Sequence, residues 1–153
     1  MATQPEITTR PLGPTDLDRV VEIDQHLVGR SRRGFFEKRL EAAMAVPEDF
    51  VVVGIDNEDG LCAFAIARIS TGDFGLSKSH AVLDAIGVDP DCQSKGLGHG
   101  LMEGLDAGLR KRGVGEIRTQ TDWRFHDVVR FLDAEGFKTA PIHILERPTT
   151  STL

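Results

Sequence analysis

The sequence predicts an α/β fold, helices packed on a mixed β-sheet, in one domain spanning residues 1–153. Three observations carry this. Apolar residues recur at helical spacing early, give way to β-branched runs in the middle, and then switch between the two periods. The middle runs are joined by a tight turn, as in an antiparallel hairpin. The later strands are separated by a long helix, which is how parallel neighbours connect.

The elements follow in order. Ile7 to Arg10 reads as a short strand. Thr15 is placed to cap a helix, with Asp18 three residues on, and Leu17, Val20, Val21, Ile23 and Leu27 give helical spacing. A second helix runs from Arg33 to Ala45, with Phe36, Leu40 and Met44 four apart and Pro47 after its end. Phe50 to Ile55 and Leu61 to Ile69 are strands around the turn Asn57-Glu58-Asp59-Gly60. Ala81 to Val88 is a further strand, closed by Asp89-Pro90. The long helix from Gly96 to Arg112 repeats Leu97, Leu101, Leu105 and Leu109 and stops at Gly113. A strand from Glu116 to Thr121, a helix from Asp127 to Glu135 and a last strand from Phe137 to Glu146 complete the order β-α-α-β-β-β-α-β-α-β. Pro148 to Leu153 reads as a frayed tail.

Composition narrows the class. The formal charge is −6, which argues against a uniformly basic nucleic-acid surface. Two cysteines, Cys62 and Cys92, are too few for a disulfide scaffold and suit a reducing, cytoplasmic setting. No apolar run nears the ~20 residues of a membrane span, and the start lacks a signal-peptide layout. The five histidines and two cysteines show no metal-ligand spacing.

The segment Val88 to Gly100 is the most informative. A strand ends, a polar loop crosses, and glycines arrive as a helix begins. The first turn of a helix has amides without partners and partial positive charge, so this is an anion site in kind, with Gln93 and Lys95 as added donors. A ligand-free glycine turn is the competing reading. A dinucleotide fingerprint fits poorly, and no Gly-Lys-Ser/Thr follows for a P-loop. Gly100, Gly104 and Gly108 form a stripe on the helix, which close packing on the sheet explains. A close ligand explains Gly96 and Gly98 better.

Gln93-Ser94-Lys95-Gly96-Leu97-Gly98 resembles the acyl-CoA pyrophosphate loop of the GNAT N-acetyltransferase superfamily, whose pattern is Q/R-x-x-G-x-G/A. Leu83 to Val88 resembles that family's fourth strand, and Arg130-Phe131-Leu132-Asp133-Ala134-Glu135-Gly136-Phe137 its F-Y-x-x-x-G-F signature. The likeness spans residues 5–147. It implies acetyl-CoA as cosubstrate and acetyl transfer to an amine. It also implies a fourth and fifth strand that splay to admit the pantetheine. Ile86, Gly87 and Val88 would then meet the pantetheine and acetyl end. Gln93, Ser94, Lys95, Gly96, Leu97 and Gly98 would hold the diphosphate, with His99 and Gly100 close by. For Gly87, a bulge or bend is the competing explanation.

Acidic residues on the fourth strand serve as base in parts of the family, so Asp84 is the first candidate; a solvent-facing or arginine-paired Asp is the alternative. Asp122 and His126 are second candidates. The family's usual general acid is a tyrosine at the position of Leu132, and the chain has no tyrosine at all. A catalytically weak or inactive CoA-binding module is therefore the second functional reading. On the acceptor side, which the first two helices cover in the family, Arg30, Arg32 and Arg33 could attract a carboxylate or phosphate, or be ordinary surface arginines. Trp123 reads as core, with lining of the cleft beside the fifth strand as the alternative. The partner is a small-molecule or peptide amine, with no nucleic acid and no membrane; homodimers are common in such proteins.

Overall fold

A computed structural model describes residues 7–71, 74 and 78–150. Their contacts gather into two units, Met1–Gln120 and Thr121–Leu153. The first contains a five-stranded mixed sheet in the order β1 (Arg10–Pro11), β2 (Phe50–Asn57), β3 (Gly60–Ser70), β4 (His80–Val88), β5 (Ile117–Arg118). The first four strands are antiparallel, and β5 runs parallel to β4 after a crossover through α3 (Leu97–Lys111).

Alternation along the strands sorts the two faces. Phe64 and Ile66, both fully buried, join Val20 and Ile23 of α1 (Leu17–Val28) and Phe36 and Leu40 of α2 (Arg33–Ala45) in one core. The opposite parity of β3 is Ala63, Ala65 and Ala67, all fully buried. Small side chains there let α3 approach the other face, where Gly108 meets Val51 of β2 and Gly100 meets Ile55. The helix buries Leu101, Leu105 and Leu109. Both α3 and α1 end on a left-handed glycine, Gly113 (φ 73°) and Gly29 (φ 81°). At the α3 end Val114 N–H donates to Leu109 O and Gly113 N–H to Arg110 O, both at 3.0 Å, which satisfies the last carbonyls.

The α2 bounds and the hairpin turn fall where the sequence puts them. Other elements differ. The first strand is Arg10–Pro11 rather than Ile7 to Arg10. Asp16, not Thr15, organises the start of α1: a 3-10 turn at Pro14–Asp16 precedes the helix, and the Asp16 carboxylate accepts the Gly13 N–H at 2.8 Å. Arg10 then bridges Asp16 (2.8 and 2.9 Å) and Asp56 (2.6 and 2.9 Å), clasping the first strand to the hairpin. That guanidinium holds the Asp16 carboxyl below the usual carboxylate range. Met44 is 56% exposed, and Ala43 takes the buried position. The strand expected at Glu116 to Thr121 is only Ile117–Arg118.

In the second unit, α4 (His126–Ala134) ends on Gly136, with Phe137 N–H donating to Leu132 O at 3.0 Å. The expected last strand, Phe137 to Glu146, is absent among the described residues. Pro141 explains the break. It offers no amide to a ladder, and the chain turns tightly about it, with Ile142 N–H donating to Ala140 O at 2.9 Å.

Candidate active site

The β4–β5 ladder is short. Ala81 pairs with Ile117 and Val82 with Arg118, Ala81 N–H donates to Glu116 O at 2.8 Å, and Thr119 Oγ1 donates to Leu83 O at 3.0 Å. Beyond that point, Ala85 to Val88 has a described ladder partner only on the β3 side. One edge of a central strand is thus open for half its length, a place for an extended chain-like ligand. Gly87 is neither a bend nor the bulge. It pairs with Phe64, and a Cβ there would lie 2.8 Å from Phe64 Cε1 and 3.1 Å from Leu27 Cδ1. The bulge is at Asp84 instead, skipped between Ala85, opposite Ile66, and Leu83, opposite Ala67.

The turn after β4 is built on Asp89, a 6% exposed residue. Its Oδ1 accepts the Asp91 N–H at 2.9 Å, its own N–H donates to Cys62 O at 2.8 Å, and its carbonyl accepts the Cys92 N–H at 2.8 Å. Arg19 of α1 pairs with its carboxylate and also donates to Leu61 O at 2.8 Å. The Asp91 amide first, and Arg19 with it, keep the Asp89 carboxyl below its ordinary range against the opposing effect of burial. The sequence marked Asp89 only as the end of a strand; its Asp-Pro-Asp context is the signal for this turn.

From there the backbone turns through two left-handed residues, Ser94 (φ 68°) and Gly96 (φ 75°), into α3. Among the described residues, the amides of Ser94, Lys95, Gly96, Leu97 and Gly98 donate to nothing; Gly100 N–H bonds to Gly96 O at 3.1 Å. Ser94, Lys95 and Gly96 are exposed. A helix start with open amides and no side-chain cap suits a diphosphate. The residues present therefore fit a coenzyme of that chemistry. Gln93 Nε2 donates to Val88 O at 3.3 Å, tying the loop back to the open strand. His99 pairs with Glu103 at 2.9 Å. Gly100 is buried, with Ile7 Cγ2 2.7 Å from where its Cβ would be. Gly104 and Gly108 likewise meet Thr9 and Val51, so the glycine stripe is a packing feature.

The base candidates fall in different places. Asp84 lies between two arginines: Arg39 Nε of α2 and Arg68 Nε of β3 are each 3.1 Å from its Oδ2, and its side chain is 9% exposed. Asp122 and His126 lie in the second unit. The Asp122 carboxyl is held low by the Arg124 guanidinium, 2.7 Å away. His126 is the first residue of α4 and is exposed. Leu132 is 7% exposed. Trp123, expected in the core, is 84% exposed. Cys62 and Cys92 are free, buried thiols; burial, and then the neighbouring Cys92, push Cys62 up to about 11.

Two of the three acceptor-side arginines are engaged within the fold. Arg32 binds Asp24, itself 3% exposed, through Nε (2.9 Å) and Nη2 (2.5 Å), and lies over the rings of Phe35 and Phe36. Arg33 pairs with Asp18 at 2.7 Å. Arg30 is exposed and has no ion pair among the described residues. The partners Asp24 and Asp18 lie on α1, a tertiary pairing that local spacing does not reveal.

An opened mixed sheet with an amide-rich turn at the head of the next helix fits a coenzyme A-dependent enzyme, and comparison with known proteins makes the class an acetyl-CoA-dependent acyltransferase. The chain belongs to the acetyltransferase (GNAT) family, whose model matches residues 17–137. It is 28% identical over 145 residues to the [ribosomal protein bS18]-alanine N-acetyltransferase of Escherichia coli (strain K12), covering 94% of this chain and 88% of that one. Among solved structures it is similar to aminoglycoside 6'-N-acetyltransferase AAC(6')-Ih from Acinetobacter baumannii (TM-score 0.77, 12% identity, 95% and 100% coverage). It is also similar to glucosamine-6-phosphate N-acetyltransferase from Arabidopsis thaliana (TM-score 0.70, 18% identity, 93% and 98% coverage). Among the described residues no helix is long and apolar enough to cross a membrane, and no His, Cys, Asp and Glu cluster could hold a metal.

Proposed function

We propose that this protein transfers an acetyl group directly to a primary amine within a ternary complex, and that the amine is the N-terminal α-amine of a peptide or protein. The open amides from Ser94 to Gly98 carry the coenzyme part of the reading. Acetyl-CoA supplies the acetyl group, activated as a thioester. The loop from Gln93 to Gly98 binds its diphosphate, Ile86 to Val88 line its pantetheine, and the Val88 N–H donates to the acyl oxygen. Such a donor is typically worth about 3 kcal/mol.

The acceptor class rests on proton chemistry together with the similarity to a protein-alanine acetyltransferase. A lysine-type amine near 10.4 is neutral in only about 4 of 10,000 molecules at pH 7. An α-amine near 7.8 is neutral in about one in seven, so it asks little of a base. Asp84, which faces two guanidinium groups, then needs only to take the proton through water. With Leu132 where the family has its acid, the thiolate leaves unassisted, at some cost in rate. The same residue favours the second reading, a CoA-binding module with little turnover. A single domain, a cytosolic setting for its two free thiols and a homodimer belong to the same proposal.

The test is thiol release from acetyl-CoA against peptides beginning with Ala, free amino acids, polyamines and aminoglycosides. Fastest release with peptides is the expected result. Release no faster than hydrolysis across the panel, with CoA bound, would leave the binding-module reading. Gly98→Trp is expected to abolish CoA binding, and Asp84→Asn to slow transfer while binding persists.

A further inference from the structure

The cluster around Asp84 is electrically incomplete. One carboxylate faces two guanidinium groups, and no other acid among the described residues pairs with either. Arg68 Nε donates to Asp84 Oδ1 at 3.2 Å. The other contacts are poorly directed: Arg39 Nε and Asp84 Oδ2 are both buried and neither has a hydrogen-bond partner, although they lie 3.1 Å apart. No described hydrogen bond uses Nη1 or Nη2 of either arginine. Arg39 Nε and Asp84 Oδ2 are buried, but the unused Nη donors belong to half-exposed side chains, so the positive surplus faces outward with free ends that an anion can engage.

Its position says what that anion belongs to. Arg68 shares the parity of Phe64 and Ile66, so the cluster stands on the α1–α2 face of the sheet. Asp84 is the bulge residue where the open edge of β4 begins. The Arg39 side chain is 33% exposed and that of Arg68 39%, and Arg39 is steadied over the Phe35 ring at 5.1 Å. Two planar donors with free ends, set side by side and reachable, suit a carboxylate or phosphate.

We infer that Arg39 and Arg68 read an anionic group on the acceptor, so that the preferred substrate is an amine bearing a carboxylate or phosphate near the nitrogen. This rests on the acetyl-transfer reading and narrows it: a peptide with an acidic residue after its first is a good acceptor, and a polycation such as an aminoglycoside a poor one. Arg39 and Arg68 are specificity residues here, in place of the spent Arg32 and Arg33.

Binding of acetylated products to the CoA-saturated protein tests this without needing turnover. Calorimetry would compare acetyl-Ala-Asp amide with acetyl-Ala-Asn amide, and N-acetylglucosamine 6-phosphate with N-acetylglucosamine. The charged member of at least one pair is expected to bind roughly five- to tenfold tighter, and which pair does so separates carboxylate from phosphate. Arg39→Gln and Arg68→Gln each remove that preference, and Arg39→Lys restores part of it. Asp84→Asn enlarges it, since removing the internal anion raises the surplus; a merely structural cluster would lose it. Charged probes that bind no tighter than neutral ones, or a preference that survives both Gln variants, overturn the inference. Failure of CoA itself to bind the unaltered protein would instead strike the acetyl-transfer reading.

Discussion

A methyl group at position 87 would sit 2.8 Å from Phe64 Cε1, and Phe64 is fully buried. Gly87→Val is therefore expected to cost about 1–3 kcal/mol through overpacking, read as a lower urea midpoint with an unchanged slope. Asp16 gives a pH prediction. Its folded-state pKa is depressed, so its contribution to stability is present above the unfolded carboxylate value and is lost as pH falls through the folded one. Asp16→Asn is expected to lower stability at neutral pH by about 2 kcal/mol and to flatten the acid limb of a stability-against-pH curve. Cys62 is 1% exposed and raised to about 11, so its labelling by iodoacetamide should follow global unfolding rather than local opening. Faster labelling in the folded protein would contradict its burial.

The α3 glycines and Gly34 of α2 form a contrast at the scale of the element. A Cβ at Gly108 would meet Val51 Cγ1 at 2.7 Å, whereas nothing lies within 4 Å of one at Gly34. Gly108→Val is expected to destabilise by about 2 kcal/mol, and Gly34→Ala to stabilise by about 0.5 kcal/mol through helix propensity, both measurable by urea unfolding. Most elements were legible because their signals are local. The period of Phe36 and Leu40 marks α2, Asn57 to Gly60 marks the hairpin, and Gly96 before a leucine repeat marks the loop that heads α3. The start of α1 was misread because Asp16 is engaged by Arg10, and that partner comes from another strand. The final strand was misread because Pro141 withholds an amide from a ladder and the chain turns tightly about it.

For the whole molecule, a ligand that binds only the folded chain must stabilise it. CoA at a hundred times its dissociation constant is expected to add about 2.7 kcal/mol, seen as a higher melting temperature; Gly98→Trp should abolish that rise. The proposed coenzyme side could be assigned in sequence because it falls on one contiguous stretch, Gln93 to Gly98. The proposed acceptor side could not be. Asp84, Arg39 and Arg68 come from β4, α2 and β3, and only folding brings them within 3.1 Å. Arg32 and Arg33, by contrast, looked available in sequence because Asp24 and Asp18 lie a helix away.

One small contact lies where the β4–β5 ladder stops. The Thr119 hydroxyl, reaching Leu83 O at 3.0 Å just past the Val82–Arg118 rung, acts as the end-stop of a zipper. A longer ladder would close the slot, and a shorter one would let the strands drift. Thr119→Val keeps the shape and removes the catch, so, on the proposed placement of the coenzyme, its expected effect is on how well the acyl end is aligned. Coenzyme binding through the proposed diphosphate turn, several residues away, is expected to stay as it was.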